Sequence, residues 1–318
     1  MGFELGIHLM MDYVWLLLGV VFAGLGGELF VRGSVGLATW LRIPAGIVGA
    51  TVAAFATSSP ELSVAISSSV AGTPEIALGD SLGSNVVNVG LILALALVIS
   101  PIASPRGSIR RDYPIALLVP VLTGLLFLDG QLTRIDSLIL FSVFAIWIFL
   151  SVQEARRQRS AADEVLGEHK PWRIVGACIL GLAALVLAGN LIVLGARGIA
   201  LSFGVSEFVI GATVVSIGTS VPELATTLIA KLRGHDEIGL GTVLGSNIFN
   251  GLFIVASAAF ICPIQVEWKQ IVIALVMGLL VLLPIFPPVS GLLGRRRGVI
   301  LLMLYGVYLA ILLQSPGH

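Results

Sequence analysis

Apolar windows of roughly 18 to 25 residues recur from one end of this 318-residue chain to the other, each long enough to cross about 30 Å of hydrocarbon as a helix. Few architectures tolerate that pattern. Helices satisfy their own backbone hydrogen bonds in lipid, whereas a closed β-barrel requires short alternating segments that are missing here. With 57% hydrophobic and 11% charged residues, the composition lies outside the range of soluble globular domains and points to an all-α integral membrane protein. The windows place ten spans, near 13–31, 41–69, 75–99, 113–128, 134–153, 172–196, 205–231, 238–260, 268–288 and 297–314.

No Lys or Arg precedes the first apolar run, while Glu4 and Asp12 do, so the basic region of a cleaved signal peptide is missing and a permanent span is expected. Cys178 and Cys262 stand alone in apolar surroundings without C-x-x-C spacing and read as ordinary buried thiols. The formal net charge of zero points to no partner. Its distribution is more informative. With the N-terminus outside, all of the 18 basic residues except Arg134, Arg197 and Lys269 fall on the cytoplasmic side, a strong positive-inside bias. Both termini are then external. The one long polar connection, "QEARRQRSAADEVLGEHKPW", is cytoplasmic and divides the chain into residues 1–152, a linker 153–171, and residues 172–318.

The halves are copies. Sliding the chain by about 162 residues aligns 27–102 with 189–264 without a gap, with roughly 30 of about 76 positions identical. "GATVAAFATSSPEL" meets "GATVVSIGTSVPEL", and "LGSNVVN" meets "LGSNIFN". Five spans per half make the copies enter the bilayer from opposite sides, the inverted-repeat plan of many secondary transporters.

Both best-matched blocks carry polar residues that hydrophobic spans ordinarily exclude: Thr57, Ser58, Glu61, Ser84, Asn85 and Asn88, then Thr219, Ser220, Glu223, Ser246, Asn247 and Asn250. Thr57 and Glu61 are four apart, as are Ser84 and Asn88, a spacing that predicts shared helical faces. A glutamate at the bilayer centre costs on the order of 3 kcal/mol on insertion scales. No Lys, Arg or His lies in these blocks, which leaves protons or bound cations to neutralise the pair. Carboxylate, hydroxyl, amide and carbonyl oxygens without sulfur or imidazole suit Ca²⁺ or Na⁺ and suit Zn²⁺ or Cu⁺ poorly. Pro60 and Pro222 cannot donate to the carbonyls of Ala56 and Gly218, so each helix is expected to bend just upstream of its glutamate and to free carbonyls that face an ion.

Simpler explanations cover other features. An isolated Ser or Thr in a membrane helix ordinarily packs against a neighbour, and "GLGGELF" and "GLGTVLG", with no G-K-[ST] following, read as close-packing surfaces. Glu75 and Glu237 match across the repeats and suit helix starts. Glu28 and Asp80 have Asn190 and Thr242 as repeat partners, so neither belongs to the symmetric set; Asp80 fits a funnel or a solvated span end.

The paired motifs "ATSSPEL" with "GSNVVN" and "GTSVPEL" with "GSNIFN" resemble the two α-repeats of the cation/Ca²⁺ exchanger superfamily, and within it the Na⁺/Ca²⁺ exchangers, with G-[ST]-S-x-P-E and G-S-N-x-x-[ND] signatures. The resemblance covers both repeats and the ten-span plan. It implies a central cluster of alternative Na⁺ and Ca²⁺ sites with Glu61 and Glu223 as principal ligands, and hydroxyl or backbone oxygens from Thr57, Ser58, Thr219 and Ser220. It further implies hydroxyls from Ser84 and Ser246, an orienting amide from Asn88, and backbone carbonyls at Ala54 and Ser216. Two positions depart from the pattern. Ala56 replaces a glycine, and Asn250 stands where some members have the Asp associated with K⁺ dependence, which implies K⁺-independent exchange.

The expected activity is therefore Na⁺/Ca²⁺ antiport by alternating access, with Ca²⁺ and Na⁺ as substrates and no resident cofactor. Spans 1 and 6 are the moving pair that the resemblance implies. The bilayer is the expected partner, without nucleic acid; one chain suffices, and a microbial cell (inner) membrane is the expected location. A Ca²⁺/H⁺ antiporter is the main alternative, although such exchangers typically carry G-N-x-x-E where this chain has T-S-x-P-E. An intramembrane enzyme finds little support. "ALGD" at Asp80 only partly matches an aspartyl-protease signature, and H-E-x-x-H is absent. Discrete broken-helix sites in inverted repeats argue against a channel.

Overall fold

A computed structural model of the chain describes residues 2–104, 106–159, 171–202, 216–266, 268–288 and 290–314. In chain order the helices are α1 (Gly2–Leu41), α2 (Ala45–Thr57), α3 (Ser59–Val70), α4 (Pro74–Ile99), α5 (Arg106–Leu126), α6 (Arg134–Arg159), α7 (Pro171–Ser202), α8 (Ser216–Thr219), α9 (Val221–Leu232), α10 (Asp236–Ile261), α11 (Trp268–Leu282) and α12 (Arg295–Gln314). Each expected span has a helical counterpart, and the ten-span all-α plan holds. Residues 203–215, which include the start of the seventh span at 205, and most of the linker, 160–170, lie outside the described residues.

Two lengths differ from the expectation. The helix α1 has 40 residues and α7 has 32, so α1 is about 60 Å long against a hydrocarbon layer of about 30 Å and must tilt or project. These two helices run antiparallel and touch backbone to backbone. A Cβ on Gly181 of α7 would lie 2.5 Å from the Phe30 nitrogen, and one on Gly33 of α1 would lie 2.6 Å from the Cys178 sulfur. Small residues allow that approach, and dispersion rather than a hydrophobic driving force holds helices together in lipid. The pair is peripheral. Only 28% of the most apolar window of α1, and of α7, is buried, against 78% for α4 and α10.

The α4 and α10 helices form the centre and α5, α6, α11 and α12 surround them, with a core that includes Val86, Leu93, Leu97, Ile248, Leu252 and Val255. The stretch "GLGTVLG" is a packing surface. Gly241 and Gly245 of α10 lie directly against the Gly46 and Ala50 backbone of α2, with 2.6 Å between an added Gly241 Cβ and the Gly46 oxygen. Among the described residues, three helical stretches widen to π geometry, Gly49–Ala53, Asn88–Leu93 and Phe249–Ile254, a distortion common at functional sites.

Two short antiparallel ribbons sort the connections onto two faces. β1 (Ile102–Ala103) pairs with β4 (Leu292–Leu293), and β2 (Gln131–Leu132) pairs with β3 (Ile264–Gln265). Each ribbon takes one strand from each repeat. The first face also holds Lys231 on the Pro101 carbonyl at 2.6 Å, Arg295 on the Ile99 carbonyl at 2.8 Å and Arg233 on Glu28 at 2.7 Å. It is the basic face of the molecule. A buried clamp ties α5 to α6: Asp112 pairs with Arg111 at 2.7 Å and accepts the Trp147 indole N–H at 2.9 Å.

Candidate ion-binding site

The two Pro-Glu motifs fold alike. Ser58 (φ −85°, ψ 14°) ends α2 and Ser220 (φ −85°, ψ 10°) ends α8, so each motif sits at a break between two helices. The bend between α2 and α3 is 44°. Pro60 and Pro222 fall in the first turns of α3 and α9, where a missing N–H leaves no intrahelical bond unmade. Glu61 and Glu223 lie in those same first turns, at the positive ends of two helix dipoles.

Both glutamates are fully buried. A helix N-terminus stabilises a carboxylate by about 0.3–2 kcal/mol, less than the roughly 3 kcal/mol that burial in the membrane costs, so the dipoles offset only part of the charge. Hydroxyls from the opposite repeat supply more. Ser58 donates to Glu223 Oε1 at 2.8 Å, and Ser220 donates to Glu61 Oε1 at 3.3 Å. Ser246 adds a bond to Glu223 Oε1 at 3.1 Å. The second oxygen of each carboxylate, Oε2, is buried without a hydrogen-bond partner.

This crosswise pairing corrects the expected helical face shared by Thr57 and Glu61. The break at Ser58 separates the two residues, so Thr57 closes one helix while Glu61 opens the next, and the Thr57 hydroxyl turns back to the Ala54 carbonyl at 3.3 Å. Thr219 repeats this with Ser216 at 3.1 Å. A second expectation also changes. The carbonyls that the prolines release do not face the site: Ala56 accepts the Ser59 hydroxyl at 2.7 Å, and the Gly218 oxygen packs against Gly189 of α7, 2.8 Å from where a Cβ would stand. The carbonyls beside the motif hydroxyls are those of Ala54 and Ser216.

Around the glutamates, α4 and α10 bring their amides together. Asn85 and Asn247 each donate to the other's backbone carbonyl, at 3.2 and 3.1 Å, and Asn88 donates to Asn247 Oδ1 at 3.0 Å. The reciprocal Asn85–Asn247 pair joins the repeats, a role that only their matched positions hinted at. Ser84 Oγ, Asn88 Oδ1 and both amide atoms of Asn250 are buried without hydrogen-bond partners. Polar side chains from every motif therefore meet in one buried region. The polar atoms there are those of the Glu61 and Glu223 carboxylates together with hydroxyl, amide and carbonyl oxygens.

One residue left outside the symmetric set belongs beside it. Asp80 is not a solvated span end; it is 9% exposed, one turn from Ser84 on α4, and accepts the Thr219 hydroxyl at 3.4 Å. The i, i+4 spacing from Asp80 to Ser84 and Asn88 is the signal that could have placed it. Glu28, in contrast, stands apart at the basic face between Arg32 at 2.6 Å and Arg233.

The chain matches the family model described as sodium/calcium exchanger protein over residues 11–153 and 173–314. It belongs to the sodium/calcium exchanger family. Among relatives, the membrane protein MJ0091 of Methanocaldococcus jannaschii is 31% identical over 94% of this chain and 97% of its own. The sodium/calcium exchanger MaX1 of Methanosarcina acetivorans is 28% identical over 95% and 98%. Solved structures of the sodium-calcium exchanger NCX_Mj, soaked with Na⁺ and Sr²⁺, superpose with a TM-score of 0.80 at 30% identity, over 95% of this chain and 98% of theirs. The two matched stretches coincide with the two halves of the chain.

Proposed function

We propose that this exchanger-family chain moves Na⁺ against Ca²⁺ across a membrane by alternating access, without K⁺. The observation that carries this reading is the pair of buried carboxylates, each held through one oxygen by the opposite repeat and each with its second oxygen free of any hydrogen bond. Two carboxylates at about −2 balance one Ca²⁺ or two Na⁺, and shared oxygens make simultaneous full occupancy unfavourable, so either ion displaces the other. The proposed ligands are the Glu61 and Glu223 carboxylates, the hydroxyls of Thr57, Ser58, Ser84, Thr219, Ser220 and Ser246, the Ala54 and Ser216 carbonyls, and the Asn88 and Asn250 amides. With Asn rather than Asp at position 250, that position adds no carboxylate to the centre, in keeping with a cycle that omits K⁺.

The α1–α7 pair supplies the moving part. It carries none of the proposed ligands and meets the broken helices through small apolar surfaces, with Phe30 and Leu185 against Ala53 and Ala225. Such a surface slides without breaking hydrogen bonds of its own, and the Glu28–Arg233 ion pair at the basic face is a polar contact that movement of α1 must stretch or break. An empty site with two bare carboxylates resists being covered, and a neutralised one does not, which ties movement to occupancy. The distribution of Lys and Arg supports a cytoplasmic orientation of the basic face in a cell membrane.

Uptake of ⁴⁵Ca²⁺ by proteoliposomes loaded with Na⁺ tests the reading. Uptake should follow the outward Na⁺ gradient and remain unchanged on adding K⁺. Uptake driven by a pH gradient and indifferent to Na⁺ would instead make the chain a Ca²⁺/H⁺ exchanger.

A further inference from the structure

A second cavity stands at the basic face, apart from the ion site. Its volume is about 440 Å³, within the roughly 300–1,000 Å³ of small-molecule sites, and it lies between α1, α7 and the turn that joins α9 to α10. Arg32 enters it from α1, Arg173 from α7, and Arg233 and His235 from the turn. Glu28 is the one carboxylate of its lining, and it pairs with Arg32 at 2.6 Å and Arg233 at 2.7 Å. Three guanidinium groups against one carboxylate leave a formal excess of two positive charges. Arg173 pairs with no carboxylate among the described residues; its guanidinium lies over the Trp172 ring, 5.3 Å from the centroid. No acidic residue in the first turn of α7 offsets the positive end of that helix dipole.

The repeat does not explain this cluster. Glu28, Arg32, Arg233 and His235 have Asn190, Leu194, Ala71 and Thr73 as their counterparts, so the duplication builds no such charged cavity on the other face. A positive-inside bias calls for cations on this side of the membrane, but not for three from separate segments around one cavity. Depth narrows the choice of ligand. Trp40 in the last turn of α1 and Trp172 in the first turn of α7 are both exposed, as indoles are at the level of lipid headgroups. Apolar Val31, Val35, Ile174 and Ala177 complete the lining, which suits a molecule with a charged head and hydrocarbon better than a free anion.

We propose that this cavity binds the phosphoryl headgroup of an anionic phospholipid, with Arg32, Arg173 and Arg233 as its charge partners. The planar N–H forks of guanidinium groups match phosphoryl oxygens. Because these cations come from α1, α7 and the α9–α10 turn, a bound headgroup ties the α1–α7 pair to the scaffold and slows its movement. That consequence rests on the reading that the pair moves during antiport; the binding itself does not.

Native mass spectrometry of the purified chain in detergent, with equal amounts of dioleoylphosphatidylglycerol and dioleoylphosphatidylcholine, reads the binding. The wild type should retain the anionic lipid over the zwitterionic one. Arg173→Gln should lower that retention about fivefold and the Arg32→Gln, Arg173→Gln pair about 25-fold, whereas Arg173→Lys should keep most of it. Arg296→Gln, which removes an exposed cation from the same face outside the cavity, should change it little. Equal retention of the two lipids, or equal losses in Arg173→Gln and Arg296→Gln, would overturn the site in favour of diffuse attraction. Displacement of phosphatidylglycerol by millimolar inorganic phosphate, with equal protection against melting by phosphate alone, would make the ligand a free anion and overturn the lipid source. In liposomes, added phosphatidylglycerol should slow Na⁺-driven ⁴⁵Ca²⁺ uptake by the wild type more than by the double variant, and equal slowing of both would overturn the tie to movement. Absence of Na⁺-driven uptake in the wild type sinks the antiport reading alone, because lipid retention still reports on the cavity.

Discussion

Replacing Glu61 by Gln separates charge from shape at the centre of the site. The amide keeps an oxygen to accept the Ser220 hydroxyl, now at 3.3 Å from Oε1, and fills nearly the same volume. What disappears is one of two buried negative charges. Two unit charges 4 Å apart interact by about 4 kcal/mol at an effective dielectric of 20, so a divalent ion loses about 8 kcal/mol of attraction. If the amide oxygen and retained water recover half, about 4 kcal/mol remains, close to a thousandfold in Ca²⁺ affinity; Na⁺, with half the charge, loses about 2 kcal/mol, or roughly thirtyfold. The ion-free protein should be no less stable, because the glutamate itself costs on the order of 3 kcal/mol in the membrane. Reconstituted Glu61→Gln should therefore express and fold, show no Na⁺-driven ⁴⁵Ca²⁺ uptake at concentrations that saturate the wild type, and lose Ca²⁺-dependent protection against melting more completely than Na⁺-dependent protection. Uptake close to wild type with an unchanged half-saturating concentration would refute the reasoning, since no redistribution of neutral oxygens replaces a missing charge beside a divalent ion.

Two further substitutions address the scaffold. Gly181→Val drives a side chain into the Phe30 backbone, 2.5 Å from a Cβ, so the α1–α7 pair should separate and the melting temperature fall by several degrees; an unchanged melting curve with full transport would show that these helices need no close contact. Asp112→Ala leaves the nearly buried Arg111 and the Trp147 indole unpaired, which should destabilise the protein by about 3–5 kcal/mol while leaving Na⁺-driven uptake per folded molecule intact. Equal melting of variant and wild type would remove the clamp's assigned role.

Much of the architecture was already written in linear order. Hydrophobic windows are long-range in composition but local in cause: each span must satisfy its backbone within itself, so its position can be read without knowing its neighbours. The duplication told more, since matched motifs in opposite orientations bring Glu61 and Glu223 to one centre by symmetry. Likewise Pro60 and Pro222 announced the helix breaks, because a missing N–H acts on its own helix and nowhere else.

Contacts between elements were another matter. Ser58 serves Glu223 and Ser220 serves Glu61, a crossing that no spacing along one helix could reveal because the partners lie on different repeats. The carbonyls released by proline turn to Ser59 and to Gly189, since which way a freed oxygen points depends on the packing around the break. Asp80 broke the repeat symmetry and so carried no signal from the duplication; its contact with Thr219 puts it beside the site, as its i, i+4 spacing from Ser84 could have hinted. Sequence alone determined that this chain spans a membrane ten times as two inverted halves with a carboxylate in each, because backbone satisfaction and periodicity are local constraints. Tertiary structure decided which oxygens meet and where a third carboxylate stands, because hydrogen bonds and electrostatics act across space between segments that are far apart in the chain.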